Sequence, residues 1–414
     1  MNSPRNGIIG ALDIGSTKIA CFIARLEGEE RPKVVGIGHQ LSRGIKSGAV
    51  TDMEAAVESI EGAVIAAERM AEHELKEVYV ACSGGPFASS TVTATLALDG
   101  AEVAEADLRR LLDQGCAAAA GTDKELLHAV PVGYSIDGYN SIKDPRGMFG
   151  GELEAKLHVV SAAPAPLRNL ALAVERAPLA IRRLVAAPYA AGLATLVEDE
   201  FELGCTLVDI GGGTTSIAAF VEGALVHVDG IPLGGQHITN DVARGLTTTA
   251  AHAERMKTLF GSAIAGPSDD REMIDVPQVG ESEREAANHM PRSALISIIQ
   301  PRAEEILEHV RDRLEAVRLS ALVGRRVVLT GGTAQLAGLR DLAQRVLEKQ
   351  VRIGRPIRLK GLAESTGGPA FAAAAGLIAY AGQERNEALR PAISTEAVPR
   401  GRLAGLARWI RDNF

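Results

Sequence analysis

The sequence predicts an α/β protein built from two related halves, and three observations indicate this fold. An apolar strand–turn–strand pattern occurs twice, at residues 11–23 and 207–221, and a third glycine-rich turn follows an apolar run at residues 326–335. Hydrophobic residues make up 46% of the 414 positions but aromatic residues only 3%. The core must therefore rest on Ala, Val, Ile and Leu, as in sheets covered by small-residue helices. A chain of this length exceeds one domain of about 100 to 200 residues.

The repeated pattern places an aspartate at the end of an apolar run in both halves. In the first copy Asp13 is followed by a tight turn and by a second apolar run that begins at Ile19. In the second copy Asp209 is followed by a turn two residues longer and by a run that begins at Ile217. Each copy reads as strand, turn, strand. One such turn is also an ordinary strand end, but two copies argue against coincidence.

Both turns have the composition of a phosphate-binding loop. Glycines and hydroxyl residues present successive N–H and O–H groups into one concavity, and glycine lets phosphate oxygens approach the backbone. At the strand ends Asp13 and Asp209 are candidates to hold a hydrated Mg²⁺ between the phosphates, because magnesium keeps most of its waters and prefers carboxylate oxygens. No helix follows these glycines directly, unlike in a Walker A loop.

The third turn, with Gly331 and Gly332, follows a buried-type strand and precedes a helix predicted from about Gln335 to Val346. Paired glycines permit close approach of a base or ribose, with the helix N-terminus beside the phosphates. A plain strand-to-helix turn remains an equal alternative. Two Ala/Gly-rich helical stretches, at residues 186–194 and 368–377, flank the second and third turns. Their mirrored placement indicates a paired hinge, and tight core packing is the alternative.

Two phosphate turns, a nucleoside turn and two small-residue connecting helices, in this order, resemble the actin-like ATPase superfamily, with its duplicated, ribonuclease H-like two-domain fold. The resemblance implies that ATP or ADP with Mg²⁺ lies in a cleft between the halves. Within that superfamily the chain is similar to the FtsA family of bacterial cell-division proteins over nearly its whole length. The stretches typical of that family are residues 42–52, 128–137, 142–148 and 153–160.

The FtsA resemblance also implies the domain organisation. Strand-like runs flank a helical segment from Glu105 to Ala119, and this insertion, residues 84–163, is expected to be the family's own subdomain 1C. The other expected units are subdomain 1A (residues 1–83 and 164–200), subdomain 2A (201–250 and 311–382), subdomain 2B (251–310), a flexible linker (383–401) and a terminal amphipathic helix (402–414).

Family knowledge assigns nucleotide-binding roles to the residues that match its motifs. The first phosphate loop is Asp13, Gly15, Ser16, Thr17 and Lys18, and the second is Asp209, Gly211, Gly212, Gly213 and Thr214. The adenosine loop contains Gly331, Gly332, Thr333 and Gln335, and Glu254 and Lys257 are expected to reach ribose and adenine. For that last pair, an exposed polar pair on an amphipathic helix is the alternative. No catalytic residue is assigned, and at most weak ATPase activity is expected.

The resemblance further implies a binding site for the C-terminal peptide of the tubulin-like protein FtsZ. It falls in subdomain 2B, on the helix that includes residues 298–306. Since an acidic peptide needs a cation, Arg302, which occupies the matching family position, is the candidate. A solvated helix charge is an equal alternative. The run at residues 268–272 reads as a loop.

The end of the chain has the pattern of a membrane anchor. Residues 383–401 are polar and contain two prolines, so they predict a linker. In the last 13 residues one apolar helical face is flanked by arginines, as in helices that lie in the bilayer interface. Docking on the protein itself or in a partner's groove is the alternative. The residues expected to meet the membrane are Leu403, Leu406, Arg408, Trp409, Ile410, Arg411 and Phe414.

Charge and composition limit the function classes. The net charge is −8, yet the last 15 residues carry +3, so the body is acidic and general nucleic-acid binding is not expected. No apolar run of about 18 residues and no signal-peptide layout is found, which predicts a cytosolic protein that does not span a membrane. The four cysteines are irregularly spaced in apolar runs, which favours reduced, packed thiols.

The function implied is that of an actin-like, ATP-binding division protein. It would polymerise on the inner face of the cytoplasmic membrane at the division site, bind anionic lipids, anchor FtsZ there and contact other division proteins. The alternatives are another scaffold of the superfamily, similar to PilM or MreB, or a small-molecule kinase. A kinase needs an acceptor pocket with a catalytic base, and none stands out in the sequence.

Overall fold

The computed structural model describes residues 6–28, 31–84, 87–120, 123–280, 288–318 and 323–382. The predicted linker, residues 383–401, and the predicted terminal helix, residues 402–414, lie outside the described residues. Among the described residues no helix is both long enough and apolar enough to cross a bilayer.

Two five-stranded sheets form the centres of the two halves, and they share one topology. The first has the order β11-β6-β1-β2-β3 and the second β14-β13-β12-β17-β18, in both of which three antiparallel strands continue into two parallel ones. The first sheet comprises β1 (Asn6–Ile14), β2 (Lys18–Glu27), β3 (Lys33–Leu41), β6 (Glu77–Cys82) and β11 (Ala180–Ala186). The second comprises β12 (Cys205–Ile210), β13 (Thr215–Val221), β14 (Ala224–Ile231), β17 (Arg326–Thr330) and β18 (Gln350–Ile353). The duplication predicted from the two turns is confirmed.

Helices cover both sheets. On the first half these are α1 (Met53–Ala71) and α3 (Pro164–Arg176), and the short pair β4 (Ile45–Lys46) and β5 (Ala49–Val50) precedes α1. The second half contains α5 (Glu198–Leu203), α6 (Gly235–Gly245), α7 (Ala250–Phe260), α8 (Arg292–Ala316), α9 (Leu339–Leu347) and the hairpin β15 (Met273–Val276) and β16 (Asn288–Pro291). The run at residues 268–272 is a turn, as predicted.

The two small-residue stretches form helices that cross between the halves. They are α4 (Ala187–Thr195) and α10 (Ala372–Gly382), and both are buried almost throughout. A Cβ on Gly376 of α10 would lie 1.8 Å from the carbonyl oxygen of Ala190 in α4, so the two backbones touch. The aromatic ring of Phe220 fills the space beside Gly192 in the same way. The two helices thus pack closely, which is the alternative that the sequence left open, and the paired hinge stays a prediction.

The insertion forms a separate antiparallel sheet with one helix on it. The sheet has the order β7-β10-β8-β9. Its strands are β7 (Phe87–Ala97), β8 (Glu125–Ile136), β9 (Tyr139–Ile142) and β10 (Glu152–Ala162), and α2 (Glu105–Ala119) has the predicted bounds. This unit has a small hydrophobic core of its own.

One predicted helix begins later than expected. The sequence predicts a helix from about Gln335 to Val346, but a 3₁₀ turn (Gly332–Gln335) comes first and α9 begins at Leu339. Gly338 interrupts the two with φ +72°, and a Cβ there would approach Ser262 Oγ at 3.1 Å. The third turn therefore leads into a kinked connection and not straight into a helix.

Candidate functional site

A cleft lies where the strand ends of the two halves meet, and the three glycine turns line it. It encloses about 180 Å³. Typical ligand pockets have about 300 Å³ or more, so this space suits a polyphosphate and a metal ion, with a nucleoside extending beyond it. The predicted residues that line it are Asp13, Gly15, Ser16, Thr17, Lys18, Asp209, Gly211, Gly212, Gly213, Thr214, Gly331 and Gly332.

The two phosphate turns are closed by equivalent hydrogen bonds. Gly15 N donates to Lys18 O at 3.0 Å, and Gly211 N donates to Thr214 O at 2.9 Å. This equivalence extends the sheet duplication to the turns.

The turns also touch each other across the cleft. A Cβ on Gly213 would lie 2.4 Å from Ser16 Oγ, and one on Gly212 would lie 2.3 Å from the Thr17 methyl carbon. No side chain fits at either position without moving the opposite turn. Glycine is therefore needed here for the close approach of two backbones.

The two aspartates are half-buried at the cleft and their charges interact. Burial raises the pKa of Asp13 to about 6, and Lys18 opposes this shift. Burial and the charge of Asp13 raise the pKa of Asp209 to about 7, again opposed by Lys18. Two carboxylates that repel each other and are only partly compensated by Lys18 form a donor set suited to a divalent cation. The residues present thus fit a hydrated Mg²⁺.

Lys18 connects the first phosphate turn to the N-terminal side of α10. Its ammonium donates to Ala370 O at 2.7 Å and lies 3.2 Å from the centre of the Phe371 ring. Burial lowers the pKa of Lys18 to about 8, although Asp13 and Asp209 both favour its charged form. The cation is therefore held beside the carboxylates by contacts that sequence spacing does not reveal.

Four predicted nucleotide residues lie outside this lining. Thr333 Oγ1 donates to Gly211 O at 2.8 Å, which joins the third turn to the second, and Gln335 Nε2 donates to Gly332 O at 3.3 Å. Glu254 and Lys257 lie on α7 and pair with each other at 2.7 Å. Lys257 also reaches Gly235 O at 3.2 Å. Gly235 N donates to Gly211 O at 2.9 Å, so Gly235 connects the Glu254–Lys257 pair to the second phosphate turn.

Several lining residues were missed from the sequence. They are Ser83, Ala187, Ser216, Pro369, Ala370, Ala372 and Ala373. The alanines and the proline belong to the small-residue stretches, whose mirrored placement was the available signal. The role of residues 42–52 at the site was also not predicted from the sequence. Gly48 N donates to Ser16 Oγ at 2.9 Å, and Ser42 N donates to Thr17 O at 3.0 Å. That stretch therefore supports the first phosphate turn.

The candidate cation for a partner peptide is already paired. Arg302 on α8 donates to Asp241 Oδ2 at 2.6 Å and also pairs with Glu305. These contacts raise its pKa. Its side chain is 28% exposed, so an approaching carboxylate would have to share the guanidinium with Asp241 or displace it.

Comparison with known proteins decides the family. The model of the inserted domain described as "SHS2 domain inserted in FTSA" matches residues 84–161, and the model described as "Cell division protein FtsA" matches residues 206–376. The cell division protein FtsA of Rhizobium meliloti (strain 1021) is 44% identical over 425 residues, which cover 100% of this chain and 96% of that protein. This chain belongs to the FtsA family of cell division proteins.

Solved structures place the fold among the actin-like ATPases. A structure of the PilM–PilN type IV pilus biogenesis complex superposes with a TM-score of 0.63 at 17% identity, over 91% of this chain and 99% of that one. The MreB5 protein of Spiroplasma citri, solved with ADP, superposes with a TM-score of 0.52 at 14% identity, over 90% and 95%. The predicted actin-like duplicated fold with the FtsA-type insertion is confirmed.

Proposed function

We propose that this FtsA-family chain binds ATP with Mg²⁺ in the cleft between its halves, and that the bound state assembles into filaments on the inner face of the cytoplasmic membrane. The single observation that carries the nucleotide part is the convergence of both phosphate turns and both aspartates on one small cleft. Mg²⁺ would supply positive charge that neutralises the phosphates.

The chain's own residues have separable tasks in this proposal. The N–H groups of the two turns bind phosphate oxygens, Asp13 and Asp209 hold the hydrated cation, and Lys18 orients the first turn. In the lining of the described cleft the only ionisable side chains are Asp13, Lys18 and Asp209. Since none of these stands free as a general base, slow hydrolysis is expected.

Membership of the FtsA family argues against the two alternative functions, a small-molecule kinase and a scaffold similar to PilM or MreB.

ATP binding with and without Mg²⁺, followed by calorimetry on the full chain, tests the nucleotide part. Asp209→Asn is expected to lower the Mg²⁺-dependent affinity at least about tenfold, which corresponds to about 1.4 kcal/mol. Asp341→Asn, an exposed aspartate paired with Arg340 on α9, is the matched control and should leave it unchanged. Equal affinities of the two variants, or ATP bound outside the cleft, would overturn the assignment.

The membrane part rests on the basic amphipathic pattern of residues 402–414 behind a polar linker. Such a helix is short and marginal in water, so it is expected to fold as it inserts. Co-sedimentation with vesicles that contain anionic lipid compares the intact chain with a version ending at Pro399. The intact chain should pellet and the shorter one should stay in the supernatant, and equal pelleting would defeat this part.

We further propose that the C-terminal peptide of FtsZ binds to the proposed subdomain 2B, beside Arg302. Because Arg302 is paired with Asp241 and Glu305, its contribution to binding an acidic peptide should be modest. Arg302→Ala is expected to weaken binding of that peptide about threefold to tenfold in fluorescence anisotropy, within the range of partly exposed ion pairs. Arg311→Ala, an exposed position on the same helix, serves as the control. The same affinity for both variants would remove Arg302 from the site.

A further inference from the structure

A two-residue hairpin turn reaches the first phosphate turn from the side. In the pairing of β4 with β5, Lys46 lies opposite Ala49, so Ser47 and Gly48 form the tip of the hairpin. Both residues have positive φ, +46° and +73°, as a type I′ turn requires. Glycine adopts this conformation freely, but a residue with a side chain, such as Ser47, is uncommon there. Uncommon backbone conformations are found most often at functional sites.

The hairpin tip holds the hydroxyl group of Ser16. Gly48 N donates to Ser16 Oγ at 2.9 Å. A hydroxyl has one proton and two lone pairs, so this contact occupies a lone pair and leaves the proton. Within the part of the chain that the structure describes, no acceptor takes that proton, and Ser16 lines the cleft. The hydroxyl is therefore held with its proton available to a phosphate oxygen.

The second phosphate turn faces the same hairpin tip. A Cβ on Gly213 would lie 2.4 Å from Ser16 Oγ and 3.0 Å from Ser47 N. The tip thus lies where the two phosphate turns approach each other. Neither Ser47 nor Gly48 is among the residues that line the cleft. The tip therefore acts on a bound ligand through Ser16 and not by direct contact.

The start of the insertion packs directly behind the hairpin tip. A Cβ on Gly84, the first residue of the insertion, would lie 1.9 Å from Gly48 O, and one on Gly48 would lie 2.4 Å from Gly84 Cα. Both glycines are buried. Two backbones in such close contact leave neither of them room to shift toward the other. Contacts therefore run without a gap from Ser16 in the first phosphate turn, through Gly48, to the insertion.

We propose that Gly48 and Gly84 are positioning residues for phosphate binding, and that both act through the hydroxyl of Ser16. The inference rests on the proposed nucleotide function and adds a contribution from the insertion. A hydroxyl that is already oriented binds more tightly, because less order has to be created on binding. A side chain at Gly84 would push Gly48 N away from Ser16 and release its hydroxyl. The affinity for ATP thus depends on how closely the insertion packs on the hairpin tip.

A double-mutant cycle on the full chain tests this dependence, with ATP and Mg²⁺ binding measured by calorimetry. Ser16→Ala and Gly84→Ala should each lower the affinity about threefold to tenfold, as the loss of one hydrogen bond does. The double variant should bind no more weakly than Ser16→Ala, because Gly84 acts through Ser16. Gly133→Ala is the matched control in β8 of the insertion, where no atom lies within 4 Å of the added Cβ, and it should leave the affinity unchanged.

A measurement on the wild-type chain keeps the proposal testable if Gly84→Ala does not fold. A hydroxyl that donates to a phosphate accepts more strongly, so ATP with Mg²⁺ should slow hydrogen exchange of the Gly48 amide. The amide of Gly100, which donates to Gly150 O at 3.0 Å in the insertion, is the control and should exchange at an unchanged rate.

Two results would overturn the proposal. One is that the losses of affinity in Ser16→Ala and Gly84→Ala multiply in the double variant, because Gly84 would then act independently of Ser16. The other is that ATP leaves the exchange of the Gly48 amide unchanged. If the wild-type chain binds no ATP, the proposed nucleotide function itself is wrong, and this outcome differs from both of the others.

Discussion

Single glycines decide whether the three turns can form one cleft. Gly331 has φ +87°, and a Cβ on it would lie 2.3 Å from Asp209 Oδ1. Its neighbour Gly332 has free space beside it, since a Cβ there would have only Ala370 Cβ nearby, at 3.9 Å. The two glycines look equivalent in the sequence, yet only the first is constrained by both backbone and space. The sequence therefore reveals the pair but does not rank its members.

Alanine substitution should separate the two glycines. Gly331→Ala is expected to destabilise the fold by about 1 to 3 kcal/mol, because it combines backbone strain with a clash against Asp209. Gly332→Ala should change stability by less than about 0.5 kcal/mol. Urea denaturation of both variants provides the measurement. Comparable losses in the two would show that the clash is relieved by a small shift.

The aspartate pair makes stability depend on pH and on Mg²⁺. Both pKa values, about 6 for Asp13 and about 7 for Asp209, are raised above the ordinary value of 3.8. A raised carboxyl pKa stabilises the folded state at low pH, and that contribution is lost as the pH rises through 6 to 7. Mg²⁺ with ATP should therefore raise the melting temperature more at pH 7.5 than at pH 5, as measured by calorimetry. A larger rise at pH 5 would contradict this.

At the scale of elements, strands and turns were predictable and their contacts were not. The bounds of α2 and both strand–turn–strand units follow from local pattern, because periodicity and turn residues are read within a few positions. The contact of Lys18 with Ala370 spans 352 positions and leaves no local signal. The late start of α9 was missed for another reason: Gly338 adopts a left-handed conformation in contact with a distant loop. For these features tertiary packing overrides local preference.

The crossing of α4 and α10 gives a prediction of its own. A methyl at Gly376 would meet the Ala190 carbonyl, so Gly376→Ala should separate the helices and cost about 1 to 3 kcal/mol. Gly382→Ala is the matched control at the end of the same helix, where the nearest atoms would lie at 3.4 and 3.5 Å. Thermal unfolding compares the two variants. If Gly376→Ala is as stable as the control, α4 and α10 can move apart without loss of unfolding free energy, which would contradict the prediction.

At the scale of the whole molecule, the insertion contacts both halves. It is continuous with the first half through β7 and β10, while β14 of the second half packs against β7, β8 and β10. Ser89 Oγ accepts from Val228 N at 2.8 Å and donates to Val228 O at 3.0 Å. His158 is buried beside it, and burial together with His227 and His128 lowers the pKa of His158 to about 3. His158 is therefore neutral near pH 7, and the junction is closely packed.

Loss of the Ser89 hydroxyl should loosen this junction selectively. Ser89→Ala leaves both backbone groups of Val228 without that partner, which is expected to cost about 1 kcal/mol or more. Hydrogen exchange of the β14 amides should accelerate, whereas Ser90→Ala, an exposed neighbour on β7, should leave it unchanged. Unchanged exchange in both variants would indicate that apolar packing alone holds the junction.

The bond between Ser89 and Val228 has a mechanical consequence. The insertion is joined to the first half by covalent chain and to the second half only by noncovalent contacts. Any rotation of one half relative to the other would therefore have to break the two Ser89–Val228 hydrogen bonds or carry the insertion along with β14.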